Sequence, residues 1–227
     1  MKAFILAAGY GKRLRPLTET MPKPLLEAGG KSLIQYHLEN LANAGVKDVV
    51  INVYWLADKL IHAFGDGSGF GLNIIWSRET QLLETGGGIR NALPLLGEAP
   101  FLLVNGDVYF DYSLKSLMGR SLGDSFAHLV LVRNPAHHHI GDFCLGADSQ
   151  LSRSDDQNDY TYAGAGLIAP RLFDDWPSEP AAFPLLSPLL AAMKKGSLTG
   201  EVHSGFWEDV GTLDRLHALH KKLDCQT

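Results

Sequence analysis

Cysteine is scarce in this sequence. The 227 residues include two cysteines, Cys144 and Cys225, which lie far apart along the chain. Two such residues provide neither the disulfide framework of a small secreted domain nor the paired spacing of a zinc site. The composition therefore indicates a reducing compartment, and we expect a cytoplasmic location.

An excess of positive charge is missing as well. Lysine and arginine together number 20, against 25 aspartates and glutamates, so the formal net charge is −5. A nucleic acid would require a broadly basic surface, which this balance does not provide. We therefore expect no nucleic-acid partner, and an anionic substrate must be bound by cations gathered at one place.

Long apolar runs are also absent. No run reaches the roughly twenty residues that a membrane-spanning helix needs. The apolar run at residues 3–8 is short and leads directly into a charged segment, unlike the pattern of a signal peptide. The sequence therefore predicts no membrane partner.

Cations are gathered in the first part of the chain. Residues 3–8 suit a short buried strand, and Gly9 and Gly11 then let the backbone turn tightly and approach a ligand closely. Backbone N–H groups and guanidinium groups in such a loop suit a polyphosphate. The positively charged residues that follow the strand are Lys12, Arg13, Arg15 and Lys23.

Two familiar phosphate loops do not fit this stretch. A Walker A loop needs Ser or Thr after its lysine, whereas Arg13 follows Lys12. A dinucleotide fingerprint needs a third glycine at the position that Leu14 occupies. These departures disfavour a dinucleotide-dependent oxidoreductase and leave a phosphate loop of another kind.

Strands and helices are predicted to alternate through the first half. Alternation of this kind favours an α/β fold, with a mostly parallel, mixed central sheet covered by helices on both faces. No clean linker interrupts the chain, so we expect a single domain over residues 1–227. Expected strands lie at residues 3–8, 46–53, 72–76, 101–104, 127–132, 160–168, 198–202 and 206–210. Expected helices lie after Ser32 as far as Gly45, and at residues 56–64, 89–96, 171–176, 186–194 and 212–223.

Three chemical motifs follow predicted strands. They are the first loop, the glycine-rich residues 84–88, and residues 105–107. Ligands of parallel sheets bind beyond the carboxyl ends of the strands, so the three motifs are expected at one edge. Asp107, which follows Asn105 and Gly106, suits a hard cation such as Mg²⁺. A cap for a following helix is the alternative role of Asp107.

The first loop also carries a longer pattern. Residues 6–18 read LAAGYGKRLRPLT and residues 22–25 read PKPL. This pattern resembles the signature of the sugar-1-phosphate nucleotidyltransferases, and the resemblance extends over most of the chain. It implies a Rossmann-like three-layer sandwich, similar to the glycosyltransferase-A fold. It also implies the reaction of a nucleoside triphosphate with a sugar 1-phosphate, which gives a nucleotide sugar and pyrophosphate.

The resemblance implies roles for individual residues. Arg13 is expected to hold the triphosphate, and Lys23 the α-phosphate and the incoming sugar phosphate, so both are candidate catalytic residues. Asp209, in the segment FWEDVGT, is implied as a second Mg²⁺ ligand beside Asp107. A helix cap is the alternative role of Asp209.

The two halves of the chain are expected to divide the substrates. Residues 1–110 form the nucleotide-binding half, and residues 111–227 the sugar-binding half. The implied nucleotide-binding residues are Leu6, Ala7, Ala8, Gly9, Gly11, Lys12, Arg13, Lys23, Glu79, Glu84, Thr85, Gly86, Gly87 and Asn105. The implied sugar-binding residues are Asn105, Gly141, Asp142, Tyr162 and Gly164.

The sequence defines the identity of the nucleotide base less clearly than it defines the phosphate-binding residues. Residues 84–88 resemble the family's base-reading loop, in which bare glycines expose backbone groups to a flat base edge. A plain loop leading into a helix is the alternative. UTP is the expected nucleotide, although Glu79 stands where many uridylyltransferases of the family have Gln. GTP and dTTP therefore remain alternatives.

Two further interpretations concern the whole protein. A catalytically silent, nucleotide-sugar-binding regulator would have lost its cations or acidic residues, whereas Arg13, Lys23, Asp107 and Asp209 are all present.

The three histidines at residues 137–139 are expected to lie in a solvated loop. We expect a monomer or a small homo-oligomer.

Overall fold

Apolar side chains of the first strand alternate between two faces of a sheet. The computed structural model describes residues 1–225. Within β1 (Ala3–Leu6), Ala3 and Ile5 pack into one core cluster, whereas Phe4 packs into another. Side chains alternate with a period of two along a strand, so an entirely apolar strand is buried on both faces.

The remaining elements follow the predicted alternation. The strands after β1 are β2 (Glu27–Ala28), β3 (Lys31–Ser32), β4 (Asp48–Val53), β5 (Asn73–Arg78), β6 (Phe101–Asn105), β7 (Val108–Phe110), β8 (Ala127–Arg133), β9 (Cys144–Leu145), β10 (Leu151–Ser152), β11 (Tyr160–Ile168), β12 (Leu198–Val202) and β13 (Trp207–Asp209). The α-helices are α1 (Leu17–Thr20), α2 (Leu33–Ala44), α3 (Ala57–Phe64), α4 (Glu84–Leu96), α5 (Lys115–Met118), α6 (Leu186–Lys194) and α7 (Leu213–Asp224). None of these helices combines the length and the hydropathy needed to cross a membrane.

The main sheet is mixed but mostly parallel. In the described residues it contains seven strands, in the order β12-β8-β11-β6-β1-β4-β5. β1 lies parallel to β4 and β6, and β12 lies parallel to β8. β11 runs antiparallel to both β6 and β8. The carboxyl ends of β1, β4 and β6 consequently meet at one edge of the sheet.

Helices cover both faces of this sheet. Apolar residues of α2 and α3 pack against one face, and those of α4 and α6 pack against the other. Strand residues from both halves of the chain enter each cluster, for example Ala3 with Ala165 and Phe4 with Leu129. The two halves thus share one three-layer core.

A third apolar cluster lies beside the first loop. It joins Leu216 and Leu219 of α7 to Leu14 and Leu26, with Ala28 of the β2–β3 hairpin. β13 pairs with β7, so Asp209 lies opposite Val108. The last part of the chain therefore folds back onto the sheet edge where the first loop lies.

Two predicted boundaries are wrong. Residues 84–88 form the first turn of α4 rather than a loop, and the expected helix at residues 171–176 is a short 3-10 turn, Pro170–Phe173. The N–H groups of Gly86 and Gly87 donate to the carbonyl oxygen of Phe183, at 2.9 and 3.1 Å. Close packing against this segment requires residues without side chains and outweighs the low helix propensity of glycine.

Replacing Gly87 by alanine tests this packing. The new Cβ would collide with the backbone carbonyl of Ala181, although alanine is the better helix former. We expect the free energy of unfolding to fall by about 1–3 kcal/mol, as for overpacked cores. Gly119→Ala is the matched control, because Gly119 has a negative φ and open space around its Cβ position. Denaturant unfolding that shows Gly87→Ala to be as stable as the control would contradict this account.

Candidate active site

A cavity opens at the carboxyl ends of β1 and β6. Its volume is about 570 Å³, and it is bounded by the first loop, the start of α4 and the segment after β6. The sequence-predicted residues that line it are Leu6, Ala7, Ala8, Gly9, Gly11, Lys12, Arg13, Lys23, Glu84, Thr85, Asn105 and Asp107. Leu82, Pro184 and Gly211 contribute further to the wall.

The first loop presents backbone donors to this cavity. The N–H groups of Gly9, Tyr10 and Gly11 donate to no acceptor within residues 1–225. Gly11 has a φ of 62°, and a Cβ there would lie 2.9 Å from the Thr18 methyl group. A glycine is therefore required for the turn, and successive unpaired donors beside the cavity are of the kind that bind anions.

A buried hydrogen-bond chain holds the start of this loop. The Ala7 N–H donates to Asn52 Oδ1 at 2.8 Å, and Asn52 Nδ2 donates to Glu79 Oε1 at 2.7 Å. Glu79 Oε2 accepts from the Leu83 N–H at 3.1 Å, one residue before α4. Burial raises the pKa of the Glu79 carboxyl, and the hydrogen bonds from Asn52 and Leu83 oppose that rise. Glu79 thus lies beneath the cavity and not on its lining.

Lys23 and Asp107 form an ion pair in the lining of the cavity. Lys23 Nζ lies 2.5 Å from Asp107 Oδ2, and the two side chains are 10% and 41% exposed. Asp107 follows Gly106, whose N–H donates to the Leu6 carbonyl at 2.9 Å. A Cβ on Gly106 would lie 2.7 Å from that carbonyl oxygen. Asp107 is not a helix cap, because the residue that precedes α5 is Leu114.

Asp209 is brought beside Asp107 by the β7–β13 pair. The Val210 N–H donates to the Asp107 carbonyl at 2.9 Å. The Asp209 carboxylate forms an ion pair with Arg215 and lies 2.7 Å from His137 Nε2. The cap of α7 is Thr212, so the alternative role of Asp209 as a cap is wrong.

The acidic pair fits a hard divalent cation. Mg²⁺ prefers oxygen ligands and is commonly held by one or two carboxylates together with waters and substrate phosphates. Asp107 supplies such oxygens from the cavity lining, and Asp209 lies outside that lining on the neighbouring strand β13. Asn105 also lines the cavity, and its Oδ1 is a buried oxygen without a hydrogen-bond partner in the described chain. No cluster of three or more acidic, histidine or cysteine ligands exists among residues 1–225, so the remaining ligands would come from substrate or water.

The first residues of α4 are of two kinds: some are buried beside the cavity and others line it. Gly86 and Gly87 are buried against the segment around Phe183 and do not line the cavity. Glu84 is exposed, lines the cavity and has a φ of 58°, a left-handed conformation that is costly for a residue with a side chain. Thr85 Oγ1 accepts from the Leu185 N–H at 2.8 Å, which joins α4 to the opposite wall.

Among the expected sugar residues, Gly164 packs against Asn105, and Asp142 is hydrogen-bonded to Tyr162. Asp142 accepts from the Tyr162 N–H at 2.8 Å and contacts His138 at 3.0 Å. Gly164 has a φ of 79°, and a Cβ there would lie 3.0 Å from that of Asn105. The Tyr162 hydroxyl is buried and unpaired within residues 1–225, and burial raises its pKa. Of the predicted sugar set, Asn105 lines the cavity, and Gly141, Asp142, Tyr162 and Gly164 do not.

Comparison with known proteins establishes the family. A family model described as nucleotidyl transferase matches residues 2–138 of this chain. The chain belongs to the nucleotidyl transferase family. The predicted family is thereby confirmed.

Full-length relatives support the same assignment of this nucleotidyl transferase. An N-acetylmuramate alpha-1-phosphate uridylyltransferase of Neisseria meningitidis is 46% identical, over 95% of each chain. One of Caulobacter vibrioides is 34% identical, over 92% of this chain and 91% of the relative. A solved Bacillus anthracis structure, assigned as a glucose-1-phosphate thymidylyltransferase, superposes with a TM-score of 0.88 at 20% identity, covering 99% of this chain and 95% of that one. The predicted fold class is confirmed.

Three residues of this nucleotidyl transferase site were not predicted from the sequence. Asn52 could have been identified from the sequence, because a polar residue inside an apolar strand needs a buried hydrogen-bond partner. His137 and Arg215 contact Asp209 from 72 residues before it and 6 residues after it, respectively. His137 was expected in a solvated loop, and it does lie in an exposed 3-10 turn, Ala136–His138; its contacts with Asp209 and Arg215 were not predicted.

The backbone at Glu84 provides a direct test of the cavity wall. Glu84→Gly should raise the free energy of unfolding by about 1 kcal/mol relative to Glu84→Ala, because glycine adopts a positive φ without strain. Both variants lack the carboxylate, so any loss of nucleotide affinity should be similar in the two. Thermal unfolding and nucleotide titration measure these effects. Equal stability of the two variants would show that the left-handed backbone is not strained.

Proposed function

We propose that this protein transfers a uridylyl group from UTP to N-acetylmuramic acid α-1-phosphate and releases pyrophosphate. The observation that carries the proposal is the composition of the cavity lining. Lys12 and Arg13 lie there in a loop with unpaired N–H groups, and the ion pair of Lys23 and Asp107 lies in the same lining. The names of the two full-length relatives support the choice of sugar and nucleotide. The reaction would contribute to the recycling of cell-wall sugars.

The chemistry needs no general base. The second pKa of a phosphate monoester is about 6, so the acceptor is largely dianionic at neutral pH. The main barrier is to bring two anions together and to stabilise the charge that develops on the leaving pyrophosphate. Arg13 and the loop N–H groups would bind the β- and γ-phosphates. Lys23 would lie between the α-phosphate and the incoming sugar phosphate.

Asp107 and Asp209 would hold Mg²⁺. The bound cation would supply charge stabilisation on the phosphate oxygens. In the described structure the two carboxylates are paired with Lys23 and Arg215, so each carboxylate already faces a positive charge. Binding of the polyphosphate would give Lys23 an alternative partner and leave Asp107 free to bind the metal, while Arg215 stays paired with Asp209 Oδ1.

The two halves would divide the substrates, with residues 1–110 for the nucleotide and residues 111–227 for the sugar. We propose that Glu84 and Thr85 contact the nucleotide, and that Glu79, Gly86 and Gly87 act by fixing the wall on which these two lie. Asn105, with its unpaired Oδ1, would contact the sugar. Gly141, Asp142, Tyr162 and Gly164 would complete the sugar-binding side, with Gly164 packed against Asn105.

The setting of the reaction is proposed on chemical grounds. Cys144 and Cys225 are both free thiols, which fits the reducing cytoplasm. UTP and a sugar 1-phosphate would be the small-molecule partners. A monomer or small homo-oligomer is proposed.

A substrate matrix tests the proposed function. Pyrophosphate release is measured with UTP, GTP, CTP and dTTP, each with several sugar 1-phosphates and Mg²⁺. We expect the highest kcat/KM with UTP and N-acetylmuramic acid α-1-phosphate. Asp107→Asn, prepared in parallel, controls for contaminating activity. A higher kcat/KM with GTP and mannose 1-phosphate would move the protein to the guanylyl branch, and no release with any pair would indicate a silent regulator.

Asp209→Asn tests the metal site. The substitution keeps the side-chain shape but removes one negative charge from the proposed Mg²⁺ ligands. We expect turnover to fall about a hundredfold or more, with partial recovery at higher Mg²⁺ concentration. Asp58→Asn is the matched control, since Asp58 is exposed and paired with Arg78. Identical rates and identical Mg²⁺ dependence in the wild type and Asp209→Asn would remove Asp209 from the metal site.

A further inference from the structure

Two guanidinium groups approach the same glycine in the cavity wall. Gly211 lies between β13 and α7 and lines the cavity. A Cβ built on Gly211 would lie 3.1 Å from Arg13 Nη2 and closer still to Arg215 Nη2. The absence of a side chain at residue 211 leaves the space that these two groups occupy.

Arg215 is held in place by its other nitrogens. Its Nη1 forms the ion pair with Asp209 and lies 2.6 Å from His137 Nε2, while its Nε donates to Thr212 Oγ1 at 3.4 Å. The side chain is 15% exposed. Nη2 donates to no acceptor within residues 1–225. One nitrogen of a well-anchored guanidinium therefore remains free beside Arg13.

Two cations at such close range repel each other unless an anion lies between them. Guanidinium groups bind phosphate oxygens in pairs and with fixed geometry. We propose that Arg215 is a second phosphate-binding guanidinium, which binds the pyrophosphate leaving group together with Arg13. This proposal rests on nucleotidyl transfer but not on the choice of base or sugar.

A purely structural role for Arg215 is the competing explanation. Arg215 would then serve only as the counter-ion of Asp209, and its loss would change the metal dependence alone. That role uses Nη1 and leaves Nη2, which lies against Gly211 in the cavity wall, without a partner. The two explanations differ in what they predict for an anion that binds without metal.

Titration of the free protein with pyrophosphate, in the presence of EDTA, separates the two explanations. We expect Arg215→Met and Arg13→Met each to weaken pyrophosphate binding about tenfold or more. Arg78→Met, which removes the same charge from an exposed ion pair, should leave the affinity unchanged. Circular dichroism and thermal unfolding establish that each variant is folded.

Gly211→Ala is a second test that keeps every charge. Its methyl group would displace Arg215 Nη2, so pyrophosphate affinity should fall although both arginines remain. Unchanged pyrophosphate affinity in folded Arg215→Met, or in Gly211→Ala if Arg215→Met does not fold, would overturn the proposal. These results are independent of the substrate matrix: an inactive matrix with Arg215-dependent pyrophosphate binding would reject the proposed function and keep the subsite.

Discussion

The site depends on one buried amide. Asn52 accepts a hydrogen bond from the backbone after β1 and donates one to Glu79, which in turn accepts from the backbone before α4. A Cβ on Gly88 would lie 2.7 Å from Asn52 Nδ2 and 2.8 Å from Glu79 Oε1, so this chain also requires close approach of the helix. Unpaired buried polar groups are costly, and each partner therefore fixes the others. This hydrogen-bond chain fixes the separation between the first loop and the start of α4, both of which line the cavity.

Charged side chains near this hydrogen-bond chain are arranged in ion pairs. Lys23 is paired with Asp107 in the cavity lining and Arg215 with Asp209 outside it, so strong local charges gather at and beside the cavity in a chain whose net charge is negative. Half-buried ion pairs are screened less by salt than exposed ones. The pairs keep the four side chains ordered, and in the proposed reaction a metal ion beside Asp107 and a phosphate beside Lys23 would leave neither of these two charges uncompensated.

The sequence predicted those parts of the candidate site that are formed by residues close together along the chain. The glycine loop and the position of Asp107 after an apolar strand were predictable, because strand ends of a parallel sheet converge. The role of Gly86 and Gly87 was not, since glycine suits both an exposed backbone and a tightly packed one. The contact of His137 with Arg215 joins residues 78 apart, and no local periodicity encodes such a pair. Glu79 was expected at the ligand, and its place beneath the wall followed only from the three-dimensional course of the chain.

The packing of α7 on the first loop has a consequence for local stability. Leu14 and Leu26 pack with Leu216 and Leu219 of α7 in a cluster separate from the two clusters that contain the sheet strands. Segments with few buried apolar contacts of their own are the ones that open locally. Detachment of α7 would therefore expose Leu14 and Leu26 and loosen the first loop, while β1, β4 and β6 kept their own core. The cavity can thus lose its shape without unfolding of the sheet.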